Sequence, residues 1–322
     1  MQQLIGEPPG RITPVDETVN IFEVEAMAQR RLDALTYAEI AGSDRRAFDR
    51  MTFRPRMMVD TTKLDLTLQL FGSPMFTPIV GGPISQQKRF HPEGELATAR
   101  GLSAAKAMMV ISDKSSLPLS QIAPEAKAGF WYQVYPDTDK QRLGAAVAAG
   151  CKAVCLTLSD SGDDWKSIDA MRQGLKVPFL LKGVMNAGEA GDAVKKGVQG
   201  VVVSSYVAGP VAANAMASPM EVLPGIVDAV GGKIPILIDG SFRRGSDILM
   251  ALALGATGVI IGRPVAWGLA AFGAPGVQHV MELLQSELAR DMAMCGKIPL
   301  ISAAPATRNA VKGFFKSSRA IW

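Results

Sequence analysis

The amino-acid sequence predicts a (β/α)8 barrel, the TIM-barrel fold in which eight parallel strands close on themselves inside a ring of helices. From Thr77 onward, eight short runs rich in β-branched residues alternate with helix-like segments, which is the pattern of βαβ units. Several runs are almost continuously hydrophobic, such as the Val-Val-Val-Ser run that ends at Ser204, as expected of strands covered on both faces. A doubly wound sheet is the alternative, but no G-x-G-x-x-G turn follows the first strand.

The predicted strands and helices alternate along the chain. The strands are residues 77–81, 107–111, 130–135, 153–158, 178–182, 200–204, 235–239 and 258–262. The helices between them include residues 93–105, 139–149, 187–196, 219–230 and 246–254. Gly150, Gly197 and Gly255 directly follow three of these helices, as expected of C-terminal stops. Eight β/α repeats in this order predict a closed sheet.

The segments outside the repeats predict one domain with an N-terminal extension. Residues 20–41 have helical character, residues 54–60 form an extended lead-in, and residues 276–294 form a long closing helix. We therefore expect residues 1–76 to pack as an extension on a barrel formed by residues 77–322.

Composition excludes several classes of protein. The 322 residues are 48% hydrophobic, which suits a large packed core. The net charge is +4, and the sequence has no run of like charges of the kind that indicates nucleic-acid binding. The three cysteines suit core positions better than a disulfide framework or a metal site. The sequence contains no uninterrupted stretch of about 18 apolar residues, so no membrane span is predicted. Residues 1–16 lack the apolar core of a secretory signal, so we expect a cytoplasmic protein, with a leader removed before residue 1 as the alternative.

Two strand ends predict a phosphate site. Barrel enzymes commonly hold phosphate in the loops after strands seven and eight. The chain reads Asp239-Gly240-Ser241-Phe242-Arg243-Arg244-Gly245 after the seventh predicted strand and Gly262-Arg263-Pro264 after the eighth. Glycines let the backbone approach a ligand closely, helix N-termini supply N–H donors, and guanidinium groups pair with phosphate oxygens. Either sequence alone is weak evidence, because an arginine near a helix start is usually a surface charge, but the two together predict a phosphate cradle.

Lys182 ends the fifth predicted strand, in Leu-Leu-Lys-Gly, and is therefore expected inside the mouth of the barrel. A purely structural lysine there would need a buried partner, and unpaired buried lysines are rare. The position favours a lysine that contacts a ligand.

These segments resemble the FMN-dependent α-hydroxy-acid oxidases and dehydrogenases, the family of glycolate and lactate oxidases, over nearly the whole chain. The matching segments are 53–56 (FRPR), 87–88 (QK), 91–95 (HPEGE), 132–135 (YQVY), 181–183 (LKG), 239–245, 251–256 (ALALGA) and 262–264 (GRP). The resemblance implies an FMN cofactor, a small-molecule substrate and a homo-oligomer, often a tetramer.

The resemblance also implies which residues hold the flavin. Backbone at the end of strand one contacts it in the family, and polar side chains at later strand ends hold the ring and the ribityl chain. The corresponding positions here are Gly82, Pro83 and Ile84, then Ser112, Gln133, Thr157, Lys182 and Ser204, and finally Asp239, Gly240, Ser241, Arg243, Gly262 and Arg263. The lysine is expected to stabilise the anionic reduced flavin. Ser241 replaces the family's usual glycine, a change that we expect the cradle to tolerate.

The family's catalytic pair is missing. After strand six the family has a histidine that removes the substrate hydroxyl proton and an arginine that binds the substrate carboxylate; Tyr206 and Gly209 stand at these positions. The chain has only two histidines, His91 and His279, and neither is expected to be catalytic. Because tyrosine has a reference pKa of about 10, it is a poor general base at neutral pH.

Other parts of the substrate site differ as well. The family's N-terminal tyrosine falls at about Ala38, with Tyr37 one position away, and its long insertion after strand four shrinks to residues 159–177. Tyr135 is retained. We therefore predict a flavin oxidoreductase with a different donor, which Tyr206 or Tyr135 orients, and not an efficient lactate or glycolate oxidase. A flavin-binding protein without redox turnover is the alternative, and a non-oxidative flavin isomerase is favoured less because no Mg²⁺ or diphosphate signature is visible.

Overall fold

The predicted barrel is present in the structure, a computed structural model that describes residues 12–42, 44–53, 64–159, 164–206 and 217–295. The strands, in chain order, are β1 (Leu68–Leu70), β2 (Ser73–Met75), β3 (Ile79–Gly81), β4 (Met108–Ser112), β5 (Phe130–Val134), β6 (Val154–Thr157), β7 (Phe179–Val184), β8 (Gly200–Val203), β9 (Ile236–Asp239) and β10 (Gly258–Ile261). Strands β3 to β10 pair in parallel and in sequence order, and β10 also pairs with β3 to close the sheet. All eight barrel strands were predicted, with boundaries that agree within two residues.

The helices surround this barrel and extend it at both termini. They are α1 (Ile21–Arg31), α2 (Ala34–Ile40), α3 (Arg46–Asp49), α4 (Glu95–Ala104), α5 (Leu119–Ile122), α6 (Lys140–Ala148), α7 (Trp165–Arg172), α8 (Ala187–Lys195), α9 (Pro219–Val230), α10 (Gly245–Leu254) and α11 (Arg263–Cys295). Short 3-10 turns occupy Val15–Glu17, Gln87–Arg89 and Ala123–Glu125. The long first and last helices, α1 and α11, pack against each other on the outside of the barrel.

Two predicted terminal helices differ from those observed. Residues 20–41 form two helices because Asp33, in extended backbone, starts α2 by accepting hydrogen bonds from the N–H groups of Leu35 and Thr36. The closing helix begins at Arg263 and is kinked at Gly273, whose φ of 66° lies outside the helical region. The predicted extended segment, residues 54–60, lies outside the described residues.

The β1–β2 hairpin was not predicted, and it closes the N-terminal end of the barrel. Leu68, Leu70 and Met75 of the hairpin belong to the same buried cluster as the hydrophobic residues inside the barrel. Phe71, in the turn, packs so closely on Gly200 that a Cβ there would lie 2.8 Å from its ring. Because one end is filled in this way, a ligand has access only from the carboxyl ends of the strands.

Successive side chains of each strand point to opposite faces of the sheet, so the hydrophobic core has two layers. One layer faces the helices, and the other fills the barrel interior with residues such as Val110, Trp131 and Leu180. Cys151, Cys155 and Cys295 are buried free thiols, as the composition predicted. Among the described residues no cluster of side chains could hold a metal ion, and no helix is long and apolar enough to span a membrane.

A candidate cofactor site at the carboxyl ends of the strands

Eight of the predicted cofactor residues form one layer at the mouth of the barrel, with one residue from each strand. Each follows an inward-facing hydrophobic residue by two positions, as Lys182 follows Leu180 and Gln133 follows Trp131. The layer consists of Gly82, Ser112, Gln133, Thr157, Lys182, Ser204, Asp239 and Gly262. Because strand register fixes their height, Ser112 pairs with Gln133 and Thr157 with Lys182 across neighbouring strands. The layer lies at the base of a cavity of about 500 Å³, a usual size for a cofactor site.

Lys182 is the charged centre of this layer. Its side chain is 2% exposed, and its Nζ lies 2.9 Å from Oδ2 of Asp239 and donates a hydrogen bond of 2.7 Å to Oγ of Ser204. The lysine therefore has a buried partner, so the sequence argument from unpaired buried lysines was wrong. A ligand role rests instead on location, because Lys182 and Asp239 both line the cavity.

The polar residues of the layer support one another through hydrogen bonds. Gln133 Nε2 donates to Oγ1 of Thr157 at 2.6 Å, and the Gln133 Oε1 accepts from the Tyr135 hydroxyl at 3.3 Å. Of these side chains, Gln133 and Lys182 line the cavity, whereas Ser112, Thr157 and Ser204 lie buried behind it. The predicted residues thus divide into those that line the cavity and those that lie behind it and bind their neighbours.

Two arginines come together at the end of the cavity formed by β9 and β10. Arg243 is 1% exposed, lies with Cζ 4.2 Å from the centre of the Trp267 ring, and donates to the carbonyl oxygens of Phe242 and Gly42. Arg263 also donates to the Gly42 carbonyl. Burial, and then the charge of Arg263, lowers the pKa of Arg243 to about 9. Burial also lowers the pKa of Arg263. The two guanidinium groups are therefore in an environment that favours an added anion.

One atom in this pair indicates where an anion would bind. Arg243 Nε is buried and has no hydrogen-bond partner among the described residues. A buried donor without a partner costs about 1 to 3 kcal/mol, and more for a charged group. A phosphate oxygen is the acceptor that a guanidinium binds most readily, so this end of the cavity fits a phosphate group.

Backbone geometry around the cavity also fits a ligand that approaches closely. A Cβ on Gly82 would lie 3.1 Å from the Gly262 nitrogen, whereas one on Gly262 would meet no protein atom within 4 Å and would enter open space. Gly240 has a φ of 116°, which other residues rarely adopt. Ser241 has a φ of 62°, in the left-handed region where the resembled family has glycine. The serine keeps the turn but in a backbone conformation that glycine adopts more easily.

The tyrosines occupy the opposite part of the same cavity. Tyr135 is buried and Tyr206 is 49% exposed, with its ring centre 4.9 Å from Nζ of Lys182. Burial raises the pKa of Tyr135 above its usual value, the Tyr206 phenol adds to this rise, and the Ser112 hydroxyl opposes it. Tyr135 is therefore a hydrogen-bond donor at neutral pH and not a base. Gly209, the position of the family's arginine, lies outside the described residues.

Sequence reasoning missed part of the cavity wall. Glu39 and Ile40 of α2 line it, together with Arg89 and Phe90 of the loop after β3. The expected loss of the family's N-terminal tyrosine agrees with this wall, because neither Ala38 nor Tyr37 lines the cavity and the Tyr37 hydroxyl donates to Glu25 at 3.3 Å. Arg89 directly follows the Gln87-Lys88 segment that matches the resembled family. The sequence therefore indicated that this segment is near the cofactor site, but not that Arg89 lines the cavity.

Both histidines have structural contacts away from the tyrosines. His91 packs beneath the α11 kink, where a Cβ on Gly273 would lie 3.0 Å from its Nε2. His279 Nε2 lies 2.7 Å from the Thr18 carbonyl oxygen and ties α11 to the N-terminal segment. Neither lines the cavity.

The barrel has an anion site after β9 and β10 and a lysine in its mouth. These features are typical of barrels that bind a phosphate-bearing cofactor. Comparison with known proteins identifies the family. The model of the FMN-dependent dehydrogenases matches residues 33–161 and 158–306. The chain belongs to this family, and its cofactor is FMN.

The relatives are similar over almost their full length. A peroxisomal (S)-2-hydroxyacid oxidase of Arabidopsis thaliana is 32% identical, covering 92% of this chain and 97% of the relative. An L-lactate oxidase of Nostoc sp. is 34% identical, covering 88% of this chain and 96% of the relative. The crystal structure of a mandelate oxidase superposes with a TM-score of 0.81 at 30% identity, covering 90% of this chain and 97% of that one. The fold and the hydroxy-acid-oxidase-like class of the chain are thus established.

Proposed function

We propose that this protein is an FMN-dependent oxidoreductase with a remodelled substrate site, in which Tyr206 and Tyr135 orient a donor other than lactate or glycolate. One observation carries the proposal. The Tyr206 ring lies 4.9 Å from the Lys182 ammonium, which supports a phenol next to the cofactor at the position where the resembled family has an imidazole base.

Different residues of the chain would bind different parts of the cofactor. When bound, FMN supplies a two-electron acceptor for the donor's hydride equivalent. Lys182 would place its positive charge beside the flavin and favour the reduced, anionic cofactor. Arg243, Arg263 and the glycine-rich turn after β9 would hold the phosphate. Gly82, Pro83 and Ile84, which line the cavity, would lie against the ring.

The two tyrosines are better suited to orienting the substrate than to removing its proton. Because the pKa of Tyr135 is raised, its hydroxyl keeps its proton at neutral pH and can donate a hydrogen bond to an oxygen of the substrate in place of the long hydrogen bond, 3.3 Å, to Gln133 Oε1. Tyr206 contributes a second phenol from the exposed side of the mouth. Loss of a general base typically lowers the rate by about 100-fold to 10,000-fold, so efficient oxidation of simple hydroxy acids is not expected.

A flavin-binding protein without redox turnover is the second candidate function. The observation that favours it is the contrast between a hydrogen-bonded layer of cofactor residues and a cavity wall on which no histidine lies among the described residues. A non-oxidative isomerase has less support, because the described residues contain no cluster for a divalent cation. Assembly into a homo-oligomer, and a cytoplasmic location, stay predictions.

Anaerobic flavin spectroscopy separates the two candidates. The purified protein is loaded with FMN and mixed, without oxygen, with hydroxy acids, hydroxy amides, alcohols and amines. An oxidoreductase is expected to lose its visible flavin absorption with at least one donor, more slowly after Tyr206→Phe. If dithionite reduces the flavin but no donor of the panel does, the binding protein is the better description.

A further inference from the structure

We propose that the donor is an uncharged hydroxy compound, such as a 2-hydroxy amide or an alcohol, and that Glu39 excludes carboxylates by neutralising Arg89. This inference rests on the proposed function and specifies its substrate class. It follows from the charges that surround the cavity.

Six charged side chains line the cavity within the described part of the chain, four of them basic and two acidic. They are Glu39, Arg89, Lys182, Asp239, Arg243 and Arg263. The lysine is paired with Asp239 at 2.9 Å, and Arg89 is paired with Glu39 at 2.6 Å. Only the charges of Arg243 and Arg263 remain without a carboxylate on the cavity wall.

The FMN phosphate uses these two remaining charges. A phosphate monoester carries about 1.5 to 2 negative charges near neutral pH, which matches two guanidinium groups. Arg243 and Arg263 share the Gly42 carbonyl, so they lie together at one end of the cavity. After the cofactor is bound, the described residues of the cavity wall offer no uncompensated cation to a substrate carboxylate.

Arg89 is the cation that a carboxylate would otherwise use, and several contacts hold it. Its Nη1 donates to Glu39 at 2.8 Å, its Nε lies 3.4 Å from the Gln86 carbonyl oxygen, and its Cζ lies 5.6 Å from the centre of the Phe90 ring. Both charged side chains are about two-fifths exposed, so the pair adds little stability. Its effect is electrostatic, because the Glu39 charge cancels the attraction of Arg89 for an anion.

Lys114 is a further cation close to one residue of the cavity wall. Its Nζ is 3.9 Å from the centre of the Tyr135 ring, and the lysine is exposed and does not line the cavity. An exposed ammonium stays hydrated, so it attracts a bound carboxylate weakly. Lys114 therefore provides a control for the role of Arg89.

An uncharged donor suits the groups that remain. The Tyr135 and Tyr206 hydroxyls can donate to a neutral carbonyl or hydroxyl oxygen, and Pro83, Ile84 and Phe90 provide apolar contact. A carboxylate in the same place would lose hydration without gaining a cation, and hydrogen bonds to charged groups are worth about 1.5 to 3 kcal/mol. We therefore expect an amide to bind about 10-fold to 100-fold more tightly than the matching acid.

The test uses acid and amide pairs with the FMN-loaded protein. Lactate and lactamide, and mandelate and its amide, are titrated while the change in the flavin absorption spectrum on binding is followed. Tighter binding of both amides is the expected result. Equal or tighter binding of the acids, or no binding by either amide, overturns the inference. Binding is measured without turnover, so the substrate class can hold even if no donor reduces the flavin.

Variants then test the cause. Glu39→Gln is expected to expose Arg89 and to raise lactate affinity about 10-fold, with little change for lactamide. Adding Arg89→Gln in the Glu39→Gln protein should remove that gain. Lys114→Gln should leave the preference unchanged, and FMN content confirms that each variant is folded. The assignment to Glu39 is overturned if Glu39→Gln leaves acid binding unchanged, or if Lys114→Gln alone changes the preference.

Discussion

The two sides of the barrel mouth differ in how they are built. The cofactor side is formed by strand ends and by the tight turn after β9, where register and backbone geometry fix each residue. The donor side is formed by Tyr135, Tyr206 and the Glu39–Arg89 pair, of which only Tyr135 resembles the family. A barrel can therefore keep its cofactor while its substrate groups change, because the latter stand on loops and on the N-terminal extension.

The sequence of two segments that lie outside the described residues agrees with this difference. Residues 160–163 read Asp-Ser-Gly-Asp, and residues 207–216 contain no charged residue. In the resembled family each of these loops contributes an arginine for the substrate carboxylate. The contrast lies in charge as well as in shape: the cofactor side has two uncompensated guanidinium groups, and the donor side has none among the described cavity residues.

The largest expected effect is on the cofactor side. Arg243→Met should weaken FMN binding by about 100-fold or more, because it removes charged hydrogen bonds to phosphate. The melting temperature of the apoprotein should not fall, since the buried charge is lost with its unpaired Nε. FMN titration by fluorescence quenching measures the affinity. Arg244→Gln is the matched control, since Arg244 turns away to pair with Glu287 at 3.0 Å; similar weakening in both variants contradicts a specific phosphate role.

The next largest effect tests the residue between the two sides. Lys182→Met should slow flavin reduction by every active donor about 100-fold, because the positive charge beside the reduced cofactor is lost. The flavin potential should become more negative, as measured by equilibration with reference dyes. Lys182→Arg keeps the charge and should retain a potential closer to that of the natural protein. Unchanged potentials in both variants are incompatible with this role.

A smaller effect is expected on the donor side. Tyr206→His introduces a base at the family's position and should speed flavin reduction by hydroxy donors about 10-fold, below the full value of base catalysis because the surrounding loops differ. Tyr206→Phe removes the hydroxyl and keeps the ring. Anaerobic stopped-flow absorbance compares the two. If Tyr206→Phe is as fast as Tyr206→His, Tyr206 does not occupy the base position.

The smallest effect concerns the turn after β9, on the cofactor side. Ser241→Gly should raise the free energy of unfolding by up to about 1 kcal/mol, because glycine adopts the observed φ of 62° without the steric cost of a side chain. The greater freedom of glycine in the unfolded chain offsets part of this gain. Urea denaturation of the apoprotein measures the difference. A clear loss of stability would show that the serine hydroxyl, 3.5 Å from Arg263, is worth more than the backbone strain.

The barrel was predictable because eight hydrophobic runs alternate with helix-like segments, and most of the cofactor layer was predictable because the family resemblance assigns its residues to the ends of those runs. Gln133, Lys182 and Ser204 stand out as polar residues at the ends of hydrophobic runs, and the fold brings such positions together. The arginines after β9 and β10 were predictable because barrel enzymes commonly hold phosphate in the loops after the seventh and eighth barrel strands. In each case the local sequence determines which face and which end of the barrel a residue occupies.

The donor side was less predictable because its contacts join distant segments. Glu39 and Arg89 are fifty positions apart, and their ion pair depends on how α2 packs beside the loop after β3. The partner of Lys182 was missed although Asp239 was already assigned to the same layer, because side-chain distances across a barrel do not appear in sequence patterns. Such pairs need three-dimensional coordinates.

One measurement tests the central claim, a complete FMN site beside a donor site that does not accept simple hydroxy acids. The FMN-loaded protein is mixed anaerobically with L-lactate, and the visible flavin absorption is followed. We predict that the protein binds FMN and that L-lactate leaves the flavin oxidised, while dithionite reduces it fully. Loss of the flavin absorption at about 1 s⁻¹ or faster, within the range of ordinary enzymes, would contradict the account.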